Sequence, residues 1–180
     1  DPRGGDEIIS IGAVRIVNNH LIVDDRFEQL VNPQRPLRWE SIQIHGIQED
    51  RLRAQPTIST VLPRFHQFAE KTILVAHNAA FDMRMLQIKE AQTGIRFINP
   101  VLDTMLLSAI VHPAQENHNL KRISQRLGID VAGRHTAMGD ALATANMFLK
   151  LIPLLSKKGI HTLQEARSAS EKTYFARLRY

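Results

Sequence analysis

The sequence contains no cysteine among its 180 residues. Disulfide bonds and thiolate-bound zinc are therefore excluded, and a cytoplasmic protein is favoured. No apolar run approaches the ~20 residues that cross a bilayer. The first residues are polar and turn-like, unlike a signal peptide, so no membrane partner is expected.

The chain has the usual size and apolar content of one globular domain. Hydrophobic residues make up 43% of it, enough to bury a proper core. Lys and Arg number 23 against 18 Asp and Glu, which gives a net charge of +5. That excess suits a polyanionic ligand such as nucleic acid, but it is also common in proteins that never bind one. The net charge is therefore compatible with nucleic-acid binding but does not by itself indicate it.

The first third of the chain predicts an antiparallel hairpin followed by a short helix. Residues 8–17 and 21–31 are apolar and rich in β-branched side chains, and Asn18 and Asn19 between them favour a tight turn. Prolines after residue 32 end the pairing. The following helix is expected to end near Gly46, which can adopt the left-handed cap conformation.

The remaining pattern alternates short strands and helices. Residues 73–76 predict a strand buried on both faces, and a second short strand is expected before Asp103. Helices are predicted after Pro56 and over residues 80–92, 103–111, 118–127 and 136–156, the last kinked or stopped by Pro153. This order predicts an α/β domain with a mixed sheet over residues 1–156. Residues 157–180 are expected to form a basic terminal helix or a partly disordered tail.

The first chemical signal follows the predicted strand at residues 73–76. His77, Asn78 and Asp82 occupy the turn and the first turn of the next helix, so they gather at the carboxyl edge of the sheet. That edge is where α/β sheets place their sites. The alternative is that Asn78 caps the helix and Asp82 only complements its dipole.

The second signal lies at the start of the longest helix. His135 stands in the preceding loop, and Asp140 lies about one turn inside. A histidine and a carboxylate so placed can share a pocket, one moving a proton and the other binding a cation. The alternative is a capping residue and a solvent contact.

Together these stretches resemble the second and third motifs of the DEDDh family of 3′→5′ exonucleases, which includes the proofreading epsilon subunit of bacterial DNA polymerase III. The motifs are His77-Asn78-Ala79-x-Phe81-Asp82 and His135-x-Ala137-x-x-Asp140. Further stretches agree in order as far as about residue 152, namely residues 8–14, 31–33, 44–47 and 102–104.

The resemblance implies a ribonuclease-H-like fold, a mixed sheet flanked by helices. It implies hydrolysis of the terminal phosphodiester of DNA, in proofreading or repair, with release of nucleoside monophosphates. Two Mg²⁺ or Mn²⁺ ions about 4 Å apart would take part. The implied partners are single-stranded DNA with a free 3′ end and a DNA polymerase.

The resemblance also implies individual roles. Asp82 would help hold the ion nearer the leaving group, and Asp140 the ion that carries the attacking water. His135 would be the general base, which suits its near-neutral pKa. The substrate-binding residues implied are Ile44, His45, His77, Asn78 and Phe81.

Several of these positions have structural alternatives. His45 could be a solvent-facing residue of a helix C-terminus, and Phe81 could belong to the core. Asp103 is expected to cap a helix at the end of a strand. Trp39 could stack on a base, or simply pack.

The family's first motif, Asp-x-Glu-Thr-Thr-Gly, is expected to end just before residue 1. It supplies the other two acidic ligands and a strand inside the sheet. Asp6 and Glu7 are not expected to replace those ligands, because they should begin the second strand. The 180 residues alone are therefore expected to be inactive.

Two other functions stay open. One is a 3′→5′ exonuclease acting on RNA, because nothing in the motifs reports on a 2′-hydroxyl. The other is a non-catalytic module that binds nucleic acid or associates with a polymerase.

Overall fold

The computed structural model describes residues 5–129 and 135–177, and its first two strands form the predicted hairpin. Strand β1 (Ser10–Val17) pairs antiparallel with β2 (His20–Leu30), and Val17 lies opposite His20. Asn18 and Asn19 both have positive φ, 51° and 62°. A two-residue turn with both φ angles positive matches the twist of the strands, and asparagine tolerates it.

A second pair of strands is parallel. Strand β3 (Leu74–Ala76) pairs with β4 (Val101–Asp103), in a register that sets Ala76 beside Asp103. The α/β class is confirmed, although the strands of the described residues form two separate pairs instead of one mixed sheet. The prediction that β3 is buried on both faces is wrong. All three of its residues are half-buried, since β4 is its one pairing neighbour among the described strands.

Nine helices are present in the described residues. They are α1 (Trp39–His45), α2 (Glu49–Arg53), α3 (Ile58–Ala69), α4 (Ala79–Gln87), α5 (Glu90–Thr93), α6 (Thr104–Val111), α7 (Leu120–Leu127), α8 (Ala137–Ser156) and α9 (Leu163–Arg177). As predicted, Gly46 ends α1 in the left-handed conformation, with φ 70°.

One helix prediction needs correction. Residues 80–92 form two helices, because the Lys89 N–H bonds to the Leu86 carbonyl, three residues back, and tightens the turn. The Lys89 side chain is buried there and forms an ion pair with Glu7. The predicted extent of the longest helix is confirmed, since α8 ends at Ser156 with Pro153 inside it.

The N-terminal acidic pair also differs from expectation. Asp6 and Glu7 precede β1, which begins at Ser10, so they do not begin the strand. The Asp6 Oδ1 atom lies 3.6 Å from Arg38 Nη1, and the Glu7 carboxylate forms an ion pair with the buried Lys89. Both carboxylates therefore hold the chain before the hairpin against other elements.

Two apolar clusters support these elements. The first joins the hairpin to α3 and α4 through Ile11, Val31, Leu62, Phe65 and Met85, among others. The second joins β4, α6, α7, α8 and α9 through residues that include Leu102, Leu107, Ile123, Met147, Leu151 and Ala166. Residues 157–180 thus contain a helix that packs on the second cluster, while a domain boundary at residue 157 stays a prediction.

Helix α8 is central to this arrangement. It packs against β1, β2, β3, α6 and α7. Among the described helices it alone is long and apolar enough to cross a membrane by length and composition. Met147 and Leu151 on it are fully buried in the second cluster, which accounts for its apolar character without a bilayer.

Candidate active site

The turn between β3 and α4 is organised by a carboxylate from a neighbouring strand. Asn78, the residue before α4, has φ 60° and ψ 51°. The Asp103 Oδ1 atom accepts a hydrogen bond from the Asn78 N–H, and Oδ2 accepts one from the Ala79 N–H, both at 3.0 Å. The groups that cap α4 therefore come from the end of β4 and not from Asn78.

Asp103 also caps its own helix, as the sequence predicted. Its Oδ1 accepts a hydrogen bond from the Met105 N–H at 2.8 Å, at the start of α6. One side chain thus ties the first turns of α4 and α6 to the adjacent ends of β3 and β4. The second role was missed in the sequence because the two segments lie 25 residues apart.

His77 is held at the same edge. Its Nδ1 lies 3.0 Å from the hydroxyl of the fully buried Thr104, and that hydroxyl donates to the Ala76 carbonyl at 3.3 Å. Because the Thr104 hydroxyl has one proton and donates it to that carbonyl, its oxygen accepts the hydrogen bond from the His77 imidazole. This assigns the ring proton to Nδ1 and leaves Nε2 as the acceptor nitrogen.

Burial and two carboxylates influence the pKa of His77. Burial lowers the pKa of His77, while the negative charges of Asp103 and Asp140 oppose that shift. Asp140 therefore lies within electrostatic range of a side chain on the β3–α4 turn. Helix α8, which carries Asp140, also packs against β3, so the two predicted motifs lie on neighbouring elements.

Asp82 lies in the first turn of α4. The residue reaches the protein surface, but neighbouring protein atoms displace part of the water around its carboxyl group. This desolvation raises the pKa of Asp82 to about 6, with a further contribution from Asp103, although its own backbone N–H stabilises the charged form. The neighbouring Phe81 is 46% exposed. The core alternative for Phe81 is therefore wrong.

The start of α8 carries the other predicted site residues. Thr136 Oγ1 accepts a hydrogen bond from the Gly139 N–H at 3.0 Å, and Asp140 is half-buried one turn inside. His135 is exposed, with φ 69°. A non-glycine residue in that conformation is uncommon and often occurs at functional sites.

Gly12 of β1 supports this helix start, and sequence reasoning missed its role. A Cβ on Gly12 would lie 2.4 Å from the Ala137 carbonyl carbon and 2.6 Å from the Met138 nitrogen. The available signal was a glycine inside a β-branched run, since such glycines often mark a close backbone approach.

His45 at the end of α1 does not simply face solvent, as the structural alternative for it supposed, while substrate contact by Ile44 and His45 stays a prediction. His45 accepts a hydrogen bond at Nδ1 from the Ile47 N–H, 3.0 Å away, so Nε2–H faces the Ser41 hydroxyl at 3.0 Å. The half-buried ring therefore fastens the turn after α1, and burial lowers its pKa. Ile44 and Trp39 are each 67% exposed, so the packing alternative for Trp39 is wrong.

The donor set suits a hard divalent cation. Asp82 and Asp140 offer carboxylate oxygens, the ligand type that Mg²⁺ and Mn²⁺ prefer. Asp103 has both oxygens engaged by backbone N–H groups. No three metal-ligating side chains converge within the described residues. The raised pKa of Asp82 reflects desolvation first and the charge of Asp103 second, and a bound cation would favour the ionised carboxylate against both.

Comparisons with known proteins agree with this geometry. A sequence profile of the family described as "Exonuclease" matches residues 1–148. The "DNA polymerase III subunit epsilon-like protein" of Rhodobacter capsulatus is 50% identical over 163 residues, 89% of this chain and 23% of that protein. The "DNA polymerase III PolC-type" protein of Bacillus subtilis is 36% identical over 157 residues, 86% of this chain and 11% of that protein. The chain thus spans less than a quarter of either relative.

Solved structures show the same fold. "Exonuclease X in complex with 5′ overhanging duplex DNA" has a TM-score of 0.72 and 22% identity, with 90% of each chain covered. The "full-length 3′-exonuclease" has a TM-score of 0.70 and 20% identity, with 86% of this chain and 74% of the other covered.

Proposed function

The chain belongs to the exonuclease family, and from this membership we propose that it is the catalytic part of a 3′→5′ exonuclease acting on DNA. The observation that carries the proposal is the packing of α8, which carries Asp140, against β3, whose end leads through His77 to Asp82 in α4. Asp82 and Asp140 come from motifs 58 residues apart in sequence. The fold alone would not require carboxylates and an imidazole on these adjacent elements.

Asp82 and Asp140 are the proposed metal ligands in this chain. Their oxygens would hold Mg²⁺ or Mn²⁺, and two such ions are proposed. Such cations, when bound, lower the pKa of a water and neutralise charge at the leaving oxygen.

His135 is the proposed general base. Water attacks the terminal phosphorus, and the bond to the 3′ oxygen of the preceding nucleotide breaks. That oxygen takes a proton from solvent and becomes the new 3′-hydroxyl, and a nucleoside 5′-monophosphate is released. His135 takes the proton that the water loses. Its exposed position two residues before α8 leaves the imidazole accessible to such a water.

The substrate contacts proposed for this chain are exposed apolar side chains. Phe81 and Ile44, 46% and 67% exposed, offer surfaces on which the terminal nucleotide can pack. His45 would keep the turn after α1 in place through its two ring nitrogens. His77 and Asn78 would contact the substrate at the end of β3.

DNA is the proposed substrate class, and a polymerase is the proposed partner. Support comes from the curated relatives, whose names place them with DNA polymerase III. One structural neighbour is described in complex with duplex DNA, and another is described as recognising a histone mRNA stem-loop. RNA is therefore the alternative substrate to be tested beside DNA. A cytoplasmic location accords with this role and is likewise proposed.

The test uses the complete natural protein that contains this chain. A 5′-labelled single-stranded DNA and an RNA of the same sequence are incubated with Mn²⁺, and products are resolved by length. We expect stepwise shortening of the DNA from its 3′ end, lost in Asp140→Ala and reduced by orders of magnitude in His135→Ala.

Asp24→Ala is the matched control, because Asp24 is an exposed carboxylate on β2. It should leave the rate unchanged. Shortening that persists in Asp140→Ala would remove Asp140 from the site. Preference for the RNA would correct the substrate class, and metal-independent binding without shortening would leave a non-catalytic module.

A further inference from the structure

A buried threonine determines how His77 presents its ring. Thr104, the first residue of α6, is fully buried, and its hydroxyl lies 3.3 Å from the Ala76 carbonyl and 3.0 Å from the His77 Nδ1 atom. The carbonyl takes the one hydroxyl proton, so the bond to His77 requires a proton on Nδ1. The hydrogen bond of one ring nitrogen decides the protonation of the other. Nε2 is therefore an unprotonated acceptor.

This acceptor nitrogen is available to a ligand. Within residues 5–129 and 135–177, the bond to Thr104 is the one hydrogen bond that the His77 side chain makes. The ring is half-buried, and its Nδ1 faces a residue of the interior. Because the two nitrogens of an imidazole point in divergent directions, Nε2 points away from Thr104.

The place of His77 in the chain connects this acceptor with the candidate active site. His77 directly follows β3, and α8, which carries Asp140, packs against that strand. Asp82 lies in the first turn of α4, the next helix along the chain. The charges of Asp103 and Asp140 act on the His77 ring, where they oppose the lowering of its pKa by burial.

A neutral acceptor has a distinct use among these carboxylates. Asp103 engages both oxygens with backbone N–H groups, and Asp82 and Asp140 are the proposed metal ligands. A further carboxylate would add negative charge, whereas Nε2 accepts a hydrogen bond without adding any. Mg²⁺ and Mn²⁺ prefer oxygen ligands, which leaves Nε2 for an O–H group. The proposed reaction brings two such groups to the site, the 3′-hydroxyl of the terminal nucleotide and a metal-bound water.

We propose that Thr104 is a positioning residue of this site: its hydroxyl holds His77 as the Nδ1–H tautomer, so that Nε2 accepts a hydrogen bond from an O–H group of the nucleotide or of a metal-bound water. The proposal rests on the proposed function, since that function brings the nucleotide and the ion to the ring. Thr104 would touch neither of them and would act through His77. Its hydroxyl should therefore control both the tautomer of His77 and the affinity for one ligand.

The tautomer is measured first, in the metal-free complete protein with labelled histidine. Nitrogen chemical shifts of the His77 ring should show a protonated Nδ1 and an unprotonated Nε2. Thr104→Val should lose this preference, and Thr104→Ser, which retains the hydroxyl, should keep it. Thr72→Val is the matched control, because the Thr72 hydroxyl also donates to a backbone carbonyl, that of Ala69 at 2.7 Å, but precedes β3 instead of following it.

Ligand titration then identifies the O–H donor. The probes are Mg²⁺ alone, and thymidine 5′-monophosphate or its 2′,3′-dideoxy analogue with Mg²⁺. If the donor is the 3′-hydroxyl, Thr104→Val should bind thymidine 5′-monophosphate about two- to tenfold more weakly, the usual contribution of one hydrogen bond, and bind the analogue unchanged. If the donor is a metal-bound water, the Nε2 signal should move with Mg²⁺ alone, and both nucleotides should bind more weakly. Either result supports the proposal.

A protonated Nε2 in the unsubstituted protein, or a tautomer that Thr104→Val leaves unchanged, would overturn the proposal. So would a changed tautomer without any change in the binding of Mg²⁺ and of both nucleotides. Failure of the proposed function is seen separately, as a complete protein that shortens neither DNA nor RNA. Binding of the monophosphates needs no cleavage, so the two failures can be told apart.

Discussion

Gly12 in β1 and Ala137 at the start of α8 are in backbone contact. A methyl group on Gly12 would lie 2.4 Å from the carbonyl carbon and 2.5 Å from the carbonyl oxygen of Ala137. Backbone atoms cannot move aside as a flexible side chain can, so the helix can only shift as a unit. Because α8 presents Asp140 and follows His135, the position of both depends on the absence of a side chain on β1.

We therefore predict that Gly12→Ala displaces the start of α8. The expected cost is about 1–3 kcal/mol in the free energy of unfolding, the usual range for overpacking, together with a large loss of kcat. Denaturant unfolding and nuclease rates per folded molecule measure the two effects. Gly128→Ala is the control, since φ there is +61° and a methyl would meet nothing within 4 Å. It should lose stability and retain its rate, and a retained rate in Gly12→Ala would refute the coupling.

Asp103→Asn is expected to loosen the edge that carries the site. The carboxylate accepts three backbone hydrogen bonds, and an amide would turn its NH₂ group towards at least one of those N–H donors. The expected loss in unfolding free energy is about 2 kcal/mol or more, and weaker metal binding should accompany it. Calorimetric titration with Mn²⁺ measures the second effect directly.

The matched control for Asp103 is Asn119, whose side chain caps α7 by accepting from the Arg122 N–H at 2.9 Å. Asn119→Ala should cost about 1 kcal/mol and leave metal affinity unchanged. Equal metal affinity in both variants would show that Asp103 acts only as a cap.

The protonation of Asp82 predicts a pH-dependent stability in the metal-free protein. Its pKa in the folded protein is about 6, against an ordinary value of 3.8, because of desolvation and then of Asp103. Folding therefore favours the protonated form. The stability that Asp82 contributes is fully present below about pH 4 and is lost as the pH rises through about 6.

Without metal, Asp82→Asn should consequently melt at a higher temperature than the unsubstituted protein at pH 7, and at nearly the same temperature at pH 4. Mn²⁺ should reverse the order at pH 7, since only the carboxylate gains a ligand bond. Melting curves with and without the ion measure this. A difference that is constant from pH 4 to pH 7 would contradict the assigned environment of Asp82.

His45 predicts the opposite pH dependence. Burial lowers its pKa below the ordinary 6.5, and Nδ1 must stay unprotonated to accept from the Ile47 N–H. The stabilisation is present above pH 6.5 and is lost as the pH falls through the lowered pKa. His45→Ala should cost about 1–3 kcal/mol at pH 8, from two lost hydrogen bonds, and much less at pH 5. Ring nitrogen chemical shifts should show the Nε2–H tautomer, and an Nδ1–H tautomer would exclude this arrangement.

Local chemistry made much of the fold predictable. The Asn18–Asn19 turn, the glycine end of α1 and the strand before Asp103 all depend on residues adjacent in sequence. The interruption of the helix at Lys89 was not predictable in the same way. It coincides with an ion pair to Glu7, 82 residues earlier, and helical periodicity cannot register such a partner.

The candidate site likewise has a part that could be predicted from the sequence and a part that could not. The chemical groups could be read from residue identity: hard oxygen donors at Asp82 and Asp140, an imidazole at His135, and no thiolate. The surroundings of these groups follow from contacts made in the folded chain. Asp103 became the cap of two helices, and Gly12 became the support of a third, because β3 and β4 align their ends and α8 crosses β1. Contacts between distant segments depend on how the elements pack, and no local pattern encodes that packing.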